Sequence, residues 1–279
     1  MRTEQEMMDL ILTTAAEDPR IRAVMMNGSR VNANAVKDEF QDYDIVYFVK
    51  DISSFTADHS WVDVFGERLI MQMPDQMQLY EQDKTDPDRF AYLMQYKDGN
   101  RIDLTLKTDA PEQFDSLSSV LLDKDGRLPV LPDPTDTDYL IKKPSADEIA
   151  ASANEFWWVS TYVAKGLCRK EIPFAKAAME GPVRQMLKRM VTWYIGVETD
   201  FSVNVGSAGK YFERYLDEEK WTKYTSTYAG ADYDENWTAL LAMGELFTIT
   251  GRAVAEAFGY EDPAEPQVFE YLLEMQRKG

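Results

Sequence analysis

The sequence predicts two domains of different class: an α/β (α+β) domain with a mixed sheet over residues 1–135, then an all-helical bundle over residues 136–279. Three observations predict it. Short apolar runs suited to strands recur through the first 106 residues. Residues 107–140 lose periodicity and gather Pro129, Pro132 and Pro134 among aspartates. Beyond them, apolar residues return at helical spacing.

Each element has a local reason. In TEQEMMDLILTTAA, residues 3–16, Met7, Leu10, Ile11 and Ala15 fall on one helical face, and Thr3 with Glu6 forms a capping box. Strand-like runs follow at 21–26, 45–49 and 68–73, the last stopped by Pro74. Residues 75–89 are polar, contain Pro87 and read as a loop. Runs 90–97 and 101–106 then alternate around Asp98-Gly99, a strong hairpin signal. A short helix is predicted over 111–122, and the interdomain connection near 125–145. Ser145 with Glu148 repeats the capping-box pattern. It opens the first of five predicted helices, at 146–166, 174–195, 207–219, 234–258 and 264–276.

Composition removes several function classes. The only cysteine is Cys168, so an intrachain disulfide and a cysteine-rich zinc site are excluded. His59 is the only histidine, which rules out a multi-histidine metal site and argues against a Ser-His-Asp hydrolase; its TADHSW setting reads as a surface loop. No apolar run reaches membrane-spanning length, and the N-terminus carries acids where a signal peptide carries bases, so the expectation is a cytoplasmic protein with no membrane partner. The net charge of −19 repels nucleic acid and favours a polycationic partner.

Chemistry concentrates in VMMNGSRVNANAVKDEFQDYDIVYFV, an apolar run, a small-residue turn, a polar connector and a second apolar run. Gly28 lets the backbone turn tightly and approach a ligand, so neighbouring amides can face phosphate oxygens. Ser29 adds a hydroxyl and Arg30 a fork of donors matched to phosphate. Strand alternation puts Asp42 and Asp44 on one face, about 7 Å apart, where they can hold hard cations bridged to a nucleotide's phosphates. The chain has five Asp-x-Asp pairs, but only this one opens an apolar run behind a Gly-Ser turn; the others sit in polar stretches suited to turns. Asp103 lies opposite Ile102 and Leu104 on its strand. An antiparallel sheet is expected to bring it beside Asp42 and Asp44 as a metal ligand or proton acceptor.

Together GSRVNAN, FQDYDIVYFV, DGNRIDLTL and NEFWWVSTYVAKGLCRKE resemble the aminoglycoside 6-adenylyltransferases, streptomycin-modifying members of the polymerase β-like nucleotidyltransferase superfamily. The similarity runs over most of the chain. It implies a nucleotidyltransferase domain followed by a helical substrate-binding domain, and Mg-dependent transfer of AMP from ATP to an aminoglycoside hydroxyl, most simply the 6-hydroxyl of streptomycin. On that reading Asp42, Asp44 and Asp103 hold two Mg2+ ions, while Gly28, Ser29 and Arg30 cradle the triphosphate. Lys210, in VGSAGKYFERYL, neutralises the departing pyrophosphate across the interdomain cleft.

Within the helix opening at Ser145, Glu155, Trp158 and Tyr162 share one face, a seat for a guanidinium or ammonium group. The competing reading puts Trp157, Trp158 and Tyr162 in a helical core. Glu155 and Asp103 are both candidates for the base that takes the acceptor's proton. Asp232 and Asp234 read as acids at a helix N-terminus. Other acceptors, a lincosamide or a protein hydroxyl, and a catalytically silent nucleotide-binding protein are the rival readings. The expected state is a monomer.

Overall fold

A computed structural model describes residues 1–77 and 86–278. Contacts divide the chain into two compact units, Met1–Asp138 and Tyr139–Gly279.

The first unit is a six-stranded mixed sheet with helix α1 (Glu4–Glu17) on one face. Its strands are β1 (Ile21–Asn27), β2 (Tyr43–Val49), β3 (Arg68–Gln72), β4 (Arg89–Tyr96), β5 (Arg101–Lys107) and β6 (Ser118–Asp123), in the order β3-β4-β5-β2-β1-β6. Helix α1 starts where predicted: the Thr3 hydroxyl accepts from the Glu6 amide, and the Glu6 carboxylate returns to the Thr3 amide. Met7, Ile11 and Ala15 share one core with Tyr43, Ile45 and Tyr47 of β2, and the Tyr47 hydroxyl donates to Ile11 O at 2.6 Å. The opposite face carries a smaller cluster of Ala23, Met25, Val46 and Phe48 beneath Phe114 and Leu128. Asp44 stands on that second face, two residues before Val46.

Three expectations change. The pairing of β2 with β5 is parallel, not antiparallel. The cause is the crossover between β2 and β3: Phe55 of the short helix α2 (Ser53–Thr56), together with Val62 and Phe65, is buried in the same core as α1, so the chain crosses the sheet there. It then returns through β3, β4 and the hairpin to lay β5 along β2 in the same direction.

Second, the helix expected over 111–122 is replaced by β6. Helical spacing there lost to the open edge of β1, which β6 pairs from Ala23↔Asp123 to Asn27↔Ser118. Third, His59 is half-buried in a 3-10 turn, its Nδ1 at 2.9 Å from the Tyr92 hydroxyl and its ring stacked on Phe90. The polar loop expected over 75–89 begins as a turn at Pro74–Gln76, and its stretch 78–85 lies outside the described residues.

The second unit is helical: α3 (Ala146–Cys168), α4 (Ile172–Ala178), α5 (Arg184–Glu198), α6 (Phe212–Tyr215), α7 (Glu218–Ser226), α8 (Tyr233–Phe258) and α9 (Pro266–Lys278). The Ser145–Glu148 capping box opens α3. Phe156 and Trp157 turn into the core, where Phe156 stacks on Phe247 with centroids 4.0 Å apart. The single helix expected over 174–195 is broken at Gly181-Pro182, because proline lacks the amide that would continue the ladder. The helix expected over 207–219 is also divided. Positive φ at Gly206, Ala208 and Gly209 makes a turn, and Asp217 then caps a new helix by accepting from the Lys220 amide. Asp232 caps α8 by accepting from the Asp234 and Glu235 amides, as their acidic run suggests. Among the described residues no helix is long and apolar enough to cross a membrane.

Candidate active site

The site is assembled at the ends of three central strands. Gly28 follows β1 with φ +77°, a conformation that disfavours any residue with a Cβ, and a Cβ there would overlap the Asp44 carboxylate. Pairing of Asn27 with Asp44, and of Asp44 with Asp103, therefore sets turn, second aspartate and third carboxylate side by side on one face. Asp42 lies just before β2, its side chain 38% exposed.

Sequence reasoning missed the cation of this cluster, Arg101. Its Nε and Nη2 donate to the two oxygens of Asp103, each at 2.8 Å, and its Nε lies 3.7 Å from an Asp42 oxygen. A usable signal was present: on a strand, Arg101 must share the face of Asp103 two residues on. One guanidinium thus spans two of the three acids.

Burial and the neighbouring Asp103 and Asp42 charges push Asp44 up to about 6, although Arg101 and Arg30 pull the other way. Burial is also the main cause that raises Asp42. Two carboxylates held against their preferred charge make a site that favours an added cation, and an all-oxygen donor set suits magnesium. Among the described residues no group of three or more acidic, histidine or cysteine side chains stands close enough to hold a metal ion as it is. Arg101 supplies positive charge beside Asp103 and Asp42.

Arg30, expected at the phosphates, is buried at the entry to β2. Its side chain is 6% exposed; Nε donates to Asp42 O at 3.0 Å and Nη2 to Gln41 O at 2.7 Å. The guanidinium also lies 3.6 Å from the Tyr43 ring centroid and 3.5 Å from Glu4. With these donors on chain carbonyls and Glu4, Arg30 fixes the entry to β2. Gln41 closes the turn from the same side, donating to Ser29 O at 3.1 Å and Ser29 Oγ at 3.2 Å. The Gly28 amide is committed to Leu117 O at 3.0 Å, a contact that depends on β6.

The remaining expected residues belong to the helical unit. Trp157 is core, its Nε1 donating to Pro263 O at 3.1 Å. Trp158 and Tyr162 are 60% and 40% exposed, so the core reading fails for them. They bond to each other, Trp158 Nε1 to the Tyr162 hydroxyl at 2.8 Å, and Glu155 is exposed one turn earlier on α3. The stripe is therefore a presented acidic-aromatic surface. Lys210 is exposed just after the turn at Ser207–Gly209, its Nζ 5.0 Å from the Tyr211 ring centroid.

A family model described as streptomycin adenylyltransferase matches residues 1–275. An aminoglycoside 6-adenylyltransferase of Bacillus subtilis is 42% identical over 94% of this chain and 94% of its own. One of Campylobacter jejuni is 41% identical over 100% of this chain and 97% of its own. A crystal structure of an aminoglycoside 6-adenyltransferase from Bacillus subtilis aligns at 38% identity over 99% of both chains, with a TM-score of 0.47.

Proposed function

We propose, from the premise that this chain belongs to the streptomycin adenylyltransferase family, that it moves AMP from ATP to a hydroxyl of an aminoglycoside and releases pyrophosphate. The 6-hydroxyl of streptomycin is the acceptor we assign. The observation that carries the reading is the placement of Asp44 beside Asp103 and directly beneath the Gly28 turn.

The chain's own groups divide the work. Asp42, Asp44 and Asp103 are the residues that would hold two Mg2+ ions, which when bound neutralise the triphosphate. The Ser29 amide and hydroxyl, on a turn fixed by Gly28 and Gln41, cradle the phosphate oxygens that depart. Lys210 adds positive charge for the same leaving group. On α3, Trp158 and Tyr162 offer ring faces to the drug's cationic groups, and Glu155 pairs with them. Glu155, exposed on α3, is the carboxylate to which we assign proton acceptance from the attacking hydroxyl. Catalysis in this arrangement is mainly alignment and charge neutralisation.

The direct test is to incubate the protein with ATP, Mg2+ and streptomycin and to weigh the drug afterwards. A gain of one adenylyl group is expected; unmodified streptomycin, with ATP intact, would refute the assignment.

A further inference from the structure

We infer that the cavity of about 760 Å3 on β3 and β4 binds a hydroxyl-bearing sugar ring of the acceptor, joined to the ring under attack. Its lining includes Ile70, Gln72, Gln76, Leu93, Gln95 and Arg101. Register places it on the face that bears the carboxylates: Leu93 pairs with Asp103, Gln95 with Arg101, and Gln72 with Leu93. The cavity therefore begins one strand beyond the third carboxylate.

Position and composition point to the same occupant. Along the strand order, the Gly28 turn lies at β1, then come Asp44 on β2, Asp103 on β5, and the cavity on β4 and β3. In-line displacement at phosphorus needs the attacking oxygen opposite the departing one. With pyrophosphate drawn to the Gly28 turn, the acceptor oxygen comes from the β5 side, and the body of the acceptor extends over β4 and β3. Among the described residues the lining carries amides and apolar groups together with the Arg101 guanidinium, which is already bonded to Asp103. Three glutamines can donate to and accept from hydroxyls, while Ile70 and Leu93 cover the C–H faces of a sugar ring. The volume falls in the range of small-molecule sites.

The inference rests on the proposed acceptor class and names where part of it sits. Two variants test it in the full-length protein: Gln72→Leu, which removes an exposed amide, and Leu93→Phe, which narrows the cavity beside Asp103. With streptomycin as probe, the expected result is a KM for the drug raised about tenfold, equal to about 1.4 kcal/mol of lost binding, with the KM for ATP and kcat within about twofold of the parent. Calorimetric titration of streptomycin without nucleotide should weaken by the same factor. Melting temperatures establish that both variants fold. Unchanged drug KM in both folded variants overturns the inference alone. A rise in the KM for ATP instead would give the cavity to the adenine ring and also overturn it. If the parent protein transfers no AMP to streptomycin, the functional assignment fails, and this inference fails with it.

Discussion

Burial and like charge both weigh on the Asp44 carboxyl, and the consequences separate chemistry from folding. Asp44→Asn or Asp42→Asn should lower AMP transfer on the order of 10³-fold or more, read as kcat/KM for streptomycin. The same Asp44→Asn change should stabilise the ligand-free protein at neutral pH. The Asp44 carboxyl sits near 6 when folded against 3.8 for the free side chain, so the folded state binds its proton more tightly. Stability is therefore lost as pH rises between those values. The variant's advantage should be absent below about pH 4 and approach about 3 kcal/mol above pH 6. Urea titrations across that range measure it; an advantage that shrinks with rising pH would contradict the burial and like-charge cause.

Arg30 makes the opposite case. Replacing this buried guanidinium by methionine leaves Asp42 O and Gln41 O without their donors and should cost about 2–4 kcal/mol. Equilibrium unfolding decides whether the residue is structural, because a pure phosphate ligand would alter the KM for ATP and leave stability unchanged.

At the scale of elements, α3 shows how one helix serves two purposes through its period. Trp157 faces the core and Trp158 faces solvent, although they are neighbours. Trp158→Ala should therefore leave the melting temperature within a degree or two while raising the KM for streptomycin roughly three- to tenfold, the worth of a cation–π contact. The sheet elements show what was legible beforehand. The Gly-Ser turn, the Asp-x-Asp strand and the Asp98-Gly99 hairpin announced themselves through turn chemistry and alternation. The direction of β5 did not, since it depends on where Phe55, Val62 and Phe65 bury themselves. Nor did β6, whose existence answers an open edge far away in sequence. The burial of Arg30 was not legible for a related reason: a guanidinium beside a turn suits a phosphate and a chain carbonyl equally well, and only the fold places it.

Over the whole molecule, the field of −19 charges acts on both substrates with opposite sign. It draws in a polycationic drug and repels a nucleotide polyanion. Raising KCl from low to physiological concentration should therefore raise the KM for streptomycin and lower or leave unchanged the KM for ATP. Initial rates at several salt concentrations give both slopes; a drug KM that falls with salt would show that the field plays no part in capture.

The parallel seam between β2 and β5 has a kinetic corollary. Asp44 and Asp103 meet only after the intervening chain has crossed the sheet, paired as β3 and β4 and come back. A nascent polypeptide released before the Asp98-Gly99 reversal would lack its third acid and the last central strand together. The meeting of Asp44 with Asp103 and the closing of the β2–β5 seam should then arise in a single late event. Pulse-labelling of amide hydrogens during refolding should show β2 and β5 gaining protection at the same time.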